Sequence, residues 1–146
     1  MRDVAVAALA RREHSRFELQ QKLVAKGMER SSVTEALDAL EAEGLLDDRR
    51  FAEAYSRFRV GRGYGPRRIT DELRQRGVSD ALIGREVESD AYDWAKLASA
   101  VRYKKFKSKP DSFNELARQT RFMEYRGFSH EHIRYALEQA VDDENL

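Results

Sequence analysis

A chain of 146 residues with 41% apolar and 36% charged side chains is one compact domain or a short array of small ones, and so charged a composition suits modules with much surface per residue. The lack of cysteine excludes disulfides, thiolate metal sites and a cysteine nucleophile; no apolar run approaches the roughly 18 residues a bilayer span needs and no signal-peptide pattern opens the chain, so a soluble cytoplasmic protein is expected. The net charge of +1 conceals a basic centre: residues 49–76 hold 9 Lys+Arg against 3 Asp+Glu, whereas residues 1–48 and 77–101 each come to −3, an asymmetry suited to anions or acidic partners.

Strand signals are nearly missing and helical spacing recurs throughout. Val4 and Ala8 suit a first helix ending near Arg12. Ser15-Arg-Phe-Glu18 is a capping box, in which serine oxygen and glutamate satisfy orphan N–H groups. Leu19 and Leu23 share the next face, and Gly27 ends that helix, because a left-handed C′ position favours glycine. A third helix carries Val33, Leu37 and Leu40 and stops at Gly44. Asp47 or Asp48 can cap the fourth, which is expected to bury Phe51, Tyr55 and Phe58. Pro66 suits the first position of a fifth helix with Ile69 and Leu73 inward as far as Gly77. Ser79 caps a sixth with Ile83 and Val87, expected to be short or mobile because Gly84 sits inside it. Trp94, Leu97, Ala98 and Val101 make a seventh stripe running on to Phe106, broken by Pro110. Ser112-Phe-Asn-Glu115 forms another capping box before Leu116, Thr120 and Met123. Ser129 caps a last helix with Ile133 and Leu137, ahead of an acidic tail, Asp142-Asp-Glu144.

A repeat emerges on alignment. Lys26-Gly27-Met28, Arg76-Gly77-Val78 and Arg126-Gly127-Phe128 stand 50 residues apart. Four residues before each glycine are Leu23, Leu73 and Met123; six after are Val33, Ile83 and Ile133; ten after are Leu37, Val87 and Leu137. All are apolar where helix geometry buries them, so an all-α tandem array of three three-helix repeats is expected, over 1–46, 47–88 and 89–146, each leaning on its neighbours.

At Leu46-Asp-Asp-Arg-Arg-Phe-Ala52, Gly63-Tyr-Gly-Pro-Arg-Arg-Ile69 and Glu72-Leu-Arg-Gln-Arg-Gly77, the chain resembles the bacterial RecX regulatory family. Ser15-Arg-Phe-Glu-Leu-Gln-Gln-Lys-Leu23 and Phe122-Met-Glu-Tyr-Arg-Gly-Phe128 match the first and third repeats of that pattern, and the likeness covers roughly residues 4–141. The resemblance implies an elongated, curved array of repeats without catalytic residues or cofactor. It implies a modulator, usually an inhibitor, of the RecA recombinase in DNA recombination, repair and the SOS response, lodged in the groove of the RecA–DNA filament. A monomer that bridges successive RecA subunits, gaining avidity from weak contacts, is the expected form, with direct contacts to DNA phosphates in addition. The family transfers no residue-by-residue site.

Site residues are therefore read from this sequence. Arg57 stands four residues after Glu53, and Arg67/Asp71 and Arg68/Glu72 are also four apart, a spacing at which an exposed pair contributes about 0.2–0.5 kcal/mol, so part of the basic excess is ordinary helix surface and Arg57 is either that or a contact. Arg67 and Arg68 fall in the first turn after Pro66, where the helix dipole disfavours cations; a phosphate or carboxylate gripped by arginine and by helix N–H groups explains them. Tyr64, between Gly63 and Gly65, either anchors an interface or packs over the adjoining helix ends. Residues 94–110 contain Lys96, Arg102, Lys104, Lys105, Lys107 and Lys109 with no carboxylate, and Tyr103 and Phe106 are interleaved. That pattern fits a nucleic-acid or acidic-partner surface, or simply cations at a helix C-terminus with Phe106 in the core. The candidate contacts are Arg57, Tyr64, Arg67, Arg68, Arg102, Lys104, Lys105 and Lys107.

Enzyme motifs are missing. His130 and His132 point about 200° apart on a helix and form no ligand pair; there is no phosphate-binding loop, nucleophile elbow or His-Glu-x-x-His. Two alternatives remain: an autonomous helical DNA-binding protein, with steeply salt-dependent affinity, and a helical adaptor for an unrelated partner.

Overall fold

The computed structural model of the chain describes residues 1–141; the acidic tail lies outside them. Every element of regular structure among these residues is helical: α1 (Arg2–Arg11), α2 (Arg16–Ala25), α3 (Arg30–Ala42), α4 (Asp48–Gly61), α5 (Pro66–Gln75), α6 (Asp80–Val87), α7 (Trp94–Phe106), α8 (Phe113–Tyr125) and α9 (His130–Glu138). The 50-residue period has a common backbone cause. At the ends of α2, α5 and α8, Gly27, Gly77 and Gly127 adopt φ of 90°, 77° and 98°. The following N–H groups, of Met28, Val78 and Phe128, donate to the carbonyls of Leu23, Leu73 and Met123. That is the Schellman closure, repeated three times, with an apolar residue at each end of the bond.

By its contacts the chain divides into two compact units, residues 1–56 with 72–86, and residues 57–71 with 87–141 of the described chain. α4 and α5 each contribute to both.

In the first unit, α1, α2 and α3 bury Ala5, Ala8, Leu19, Leu23, Val33, Leu37 and Leu40, with Leu46 closing the cluster. The capping box at α2 forms in full: Glu18 N–H donates to Ser15 Oγ (3.0 Å) and Ser15 N–H to the Glu18 carboxylate (3.1 Å). The two aspartates before α4 divide the work. Asp47 accepts from the N–H of Arg49 (2.8 Å) as the cap, and Asp48 turns away to accept from the N–H of Arg16 (2.8 Å). Burial raises the Asp48 carboxyl above its ordinary range, opposed by that hydrogen bond. α6 is indeed short, eight residues.

In the second unit, α7, α8 and α9 enclose Ala98, Met123, Phe128, Ile133 and Ala136, with Leu97, Val101, Phe122 and Leu137 packed around them. Trp94 is buried and its indole donates to the Val87 carbonyl (2.9 Å). Asp93 caps α7, Ser112 caps α8 and Ser129 caps α9.

Three expectations need correction. Phe58 is 56% exposed, because the buried arc of α4 runs through Phe51, Ala52 and Ser56 and Phe58 lies at its edge. Leu116 is exposed while Gln119, one turn on, goes inside with Met123. Glu115 does not complete a capping box; it accepts instead from Gln119 (3.1 Å) and pairs with Arg118, contacts that hold its carboxyl below the ordinary range, Gln119 first.

Candidate functional site

The turn between α4 and α5 is built onto the end of α8. Gly65 N–H donates to the Arg126 carbonyl (2.7 Å) and Arg67 N–H to the Gly127 carbonyl (2.9 Å). Such an approach needs glycine on both sides. A Cβ on Gly65 would stand 2.7 Å from the Gly127 carbonyl oxygen, and one on Gly127 would stand 2.5 Å from the backbone nitrogen of Arg68. Orphan donors at the start of α5 thus meet orphan carbonyls at the end of α8, and each satisfies the other.

This contact changes the reading of the two first-turn arginines. Arg68 Nη1 donates to the Tyr125 carbonyl (3.1 Å) in the last turn of α8, where a cation is favoured by the dipole of that helix. Arg68 therefore has a local role at the end of α8. The Arg67 N–H that was expected to help hold an anion is already taken by Gly127, whereas the Arg67 side chain is exposed.

Tyr64 sits half-buried among guanidinium groups. Arg59 lies 3.8 Å from its ring centroid, Arg126 4.8 Å and Arg68 5.1 Å. Arg68 also covers Tyr125 (4.8 Å), and Arg126 donates to the Arg62 carbonyl (2.8 Å). Each such cation–π contact contributes about 0.5–1 kcal/mol at an exposed site and more when desolvated. Outside this inner layer stand Arg57, Arg62 and Arg67, exposed and in none of the described ion pairs. Glu53, the expected partner of Arg57, pairs with Arg49 (3.4 Å).

The lysine segment divides as well. Arg102, expected on the surface, is 2% exposed. Its Nη1 donates to Gln119 Oε1 (2.9 Å) and to the Ser108 carbonyl (3.0 Å), so it is an internal cation. Helical spacing explains this, since Arg102 is four residues after buried Ala98 and eight after buried Trp94. Lys104, Lys105 and Lys107 are exposed and in none of the described ion pairs.

The two cationic groups meet at Phe122. Its ring lies 5.8 Å from Lys105 Nζ and 5.0 Å from the Arg126 guanidinium, with Phe106 edge-on at 5.3 Å. A continuous series of ring and cation contacts therefore runs from Lys105 through Phe122, Arg126 and Tyr64 to Arg59 and Arg68. Arg59, Phe122 and Arg126 are its unanticipated members, with Tyr125 beside Arg68. The signal for Arg126 was in the aligned triplets: a cation precedes each repeat glycine, and Arg76, its counterpart, likewise covers an aromatic ring, Tyr55 (4.6 Å).

Among the described residues no cluster of three metal-ligating side chains occurs, and no helix is long and apolar enough to cross a membrane. Burial, with the nearby Arg12 charge, holds His14 below the ordinary imidazole range; burial does the same for His132.

Fold and surface together define a tandem three-helix-repeat protein with a cation-rich aromatic face. Descriptions of the first, second and third three-helix domains of RecX match residues 2–40, 47–85 and 91–137. The regulatory protein RecX of Halorhodospira halophila is 46% identical over 145 residues, covering 99% of this chain and 90% of the relative. That of Vibrio vulnificus is 42% identical over 137 residues, covering 93% and 90%. The crystal structure of RecX from Lactobacillus salivarius superposes with a TM-score of 0.80 at 19% identity, covering 94% of this chain and 92% of that one. The chain belongs to the RecX family.

Proposed function

We propose that this chain is a non-catalytic regulator, in the inhibitory sense, of the RecA recombinase, and that it binds RecA and its nucleoprotein filament through the face around Tyr64 and Phe122. Membership of the family of regulatory RecX proteins supports the regulatory role. The observation that carries the choice of face is the junction at Phe122, which brings Lys105 and Arg126, 21 residues apart in sequence, onto one ring. Inner arginines packed on rings and carbonyls hold the shape; Arg57, Arg62 and Arg67 offer planar guanidinium groups that suit carboxylate or phosphate. Many such weak contacts, repeated along a filament, give useful affinity through effective concentration.

The test is RecA's DNA-dependent ATPase with the full chain titrated in, together with co-sedimentation on RecA–DNA filaments. Inhibition is expected, and the triple charge reversal Arg57→Glu, Arg62→Glu, Arg67→Glu is expected to reduce apparent affinity at least about tenfold, since rim charges mainly steer and orient. No inhibition at saturation, with no co-sedimentation, would sink the proposal. Direct contact with DNA phosphates is a second component of this reading. It is favoured by Lys104, Lys105, Lys107 and Lys109, four exposed cations in none of the described ion pairs.

A further inference from the structure

Lys107 is the one residue other than glycine with positive φ among the described residues, at φ 65° and ψ −49°. Ser108 N–H donates back to the Phe106 carbonyl (2.7 Å), closing a γ-turn of the rare, strained hand centred on Lys107. Elsewhere in this unit the left-handed helix ends are built with glycine, at Gly63 and Gly127. A lysine here is conformationally disfavoured, and the C-terminus of α7 already has Lys104 and Lys105 in its last turn. Helix stability alone does not ask for this residue.

Strain of this kind persists only where the surroundings over-determine it, and the surroundings here are visible. The Ser108 carbonyl accepts from two buried side chains, Arg102 Nη1 (3.0 Å) and Gln119 Nε2 (3.2 Å). Those two are bonded to each other (2.9 Å), and Gln119 is anchored to Glu115 (3.1 Å). Arg102 and Gln119 are 2% and 1% exposed. A rigid internal clamp thus grips the backbone one residue beyond the strained position. Lys104, Lys105, Lys107 and Lys109 are exposed in the same stretch of chain, and Tyr103, next to them in sequence, is 42% exposed.

We propose that Arg102 and Gln119 are positioning residues, which hold the 104–109 segment in the conformation that presents its lysines to the phosphates of a single-stranded nucleic acid. This deepens, and rests on, the direct-phosphate component of the proposed function. Compact ammonium charges suit successive phosphates, and the exposed Tyr103 ring offers a stacking face for a base. Pre-organisation raises affinity because the loop is not ordered at the moment of binding.

The experiment measures fluorescence anisotropy of a labelled oligothymidylate with the full chain over a series of salt concentrations. Lys104→Ala/Lys105→Ala/Lys107→Ala is expected to lower the slope of log affinity against log salt by about 2, the value for three lost phosphate contacts on a single strand. Gln119→Met leaves the net charge and approximate volume unchanged while removing the Gln119 bonds to Ser108, Arg102 and Glu115 and leaving only Arg102 on the Ser108 carbonyl; it is expected to lower the slope by about 1 and the affinity about fivefold. Ser108→Pro, at an exposed position, removes the N–H that closes the turn and should act in the same direction if Gln119→Met compromises folding. An unchanged slope in the lysine variant would remove the phosphate reading itself. A reduced slope there, with wild-type binding by Ser108→Pro and by any folded Gln119→Met protein, would overturn the clamp alone. Equal affinity for duplex of the same length would overturn the assignment to a single strand.

Discussion

The described contacts of several arginines differ between the two compact units. In the first, arginines end on carboxylates: Arg2 on Glu43 (2.8 Å), Arg16 on Asp38 and Glu41 (2.9 and 3.0 Å), Arg50 on Glu13 (3.1 Å) and Arg76 on Glu18 (3.8 Å). Each pair is neutral as a whole and ties one element to another. In the second, the described bonds of Arg68, Arg102 and Arg126 run to carbonyls and amide oxygens, and their faces or those of Arg59 cover aromatic rings. A carbonyl or a ring stabilises a guanidinium without cancelling its charge, whereas a carboxylate beside it neutralises the pair. Cation content alone therefore says little about where a polyanion or an acidic partner docks.

The contrast can be tested most severely at two equivalent glycines. Gly27 and Gly127 occupy the same repeat position with φ of 90° and 98°, yet an added Cβ meets nothing within 4 Å at Gly27 and the backbone of Arg68 at Gly127. Gly27→Ala should cost about 1–2 kcal/mol, the left-handed penalty. Gly127→Ala should cost about 3 kcal/mol or more, because overpacking adds to that penalty and the α5–α8 junction must part. Urea midpoints of the two variants measure the difference. Equal midpoints would show that the junction at Tyr64 is not built as described.

A smaller difference is expected between two arginines. Arg102→Met leaves the buried Gln119 amide and the Ser108 carbonyl without their charged donor and should cost about 2 kcal/mol. Arg16→Met breaks two partly exposed ion pairs and should cost about 1 kcal/mol or less. A reversal of that order in denaturant unfolding would break the distinction between internal and surface cations.

The smallest effect concerns pH, and here the two units should behave alike. His14 in the first and His132 in the second are both held below the ordinary imidazole value, chiefly by burial. The unfolded chain then binds more protons than the folded one between the lowered values and about 6.5. Their contribution is complete above that upper limit and is lost as pH falls through the lowered values. For His132 there is a specific reason: its Nδ1 accepts from the Ser129 N–H (3.2 Å), which a protonated ring cannot do. Melting temperature should fall on acidification from pH 8 to 5.5, and His132→Gln should make that fall shallower.

Much of this was legible in the chain. Caps at Ser15, Ser112 and Ser129, glycine stops at Gly27, Gly77 and Gly127, and the run from Trp94 to Phe106 are local signals, readable because a helix end is satisfied by residues within a few positions of it. So was the repeat, since three backbone closures with apolar ends recur at one spacing. The cations were a different matter. Within a single helix, Arg67 and Arg68 look equivalent and misplaced, and Arg102 looks like one more member of a basic surface. Only the tertiary structure puts Arg68 on a carbonyl 57 residues away, leaves Arg67 exposed, and takes Arg102 inside against Gln119. The physical reason is reach: dipole and i,i+4 rules describe a charge within its own helix, whereas the acceptor that settles its role comes from another one.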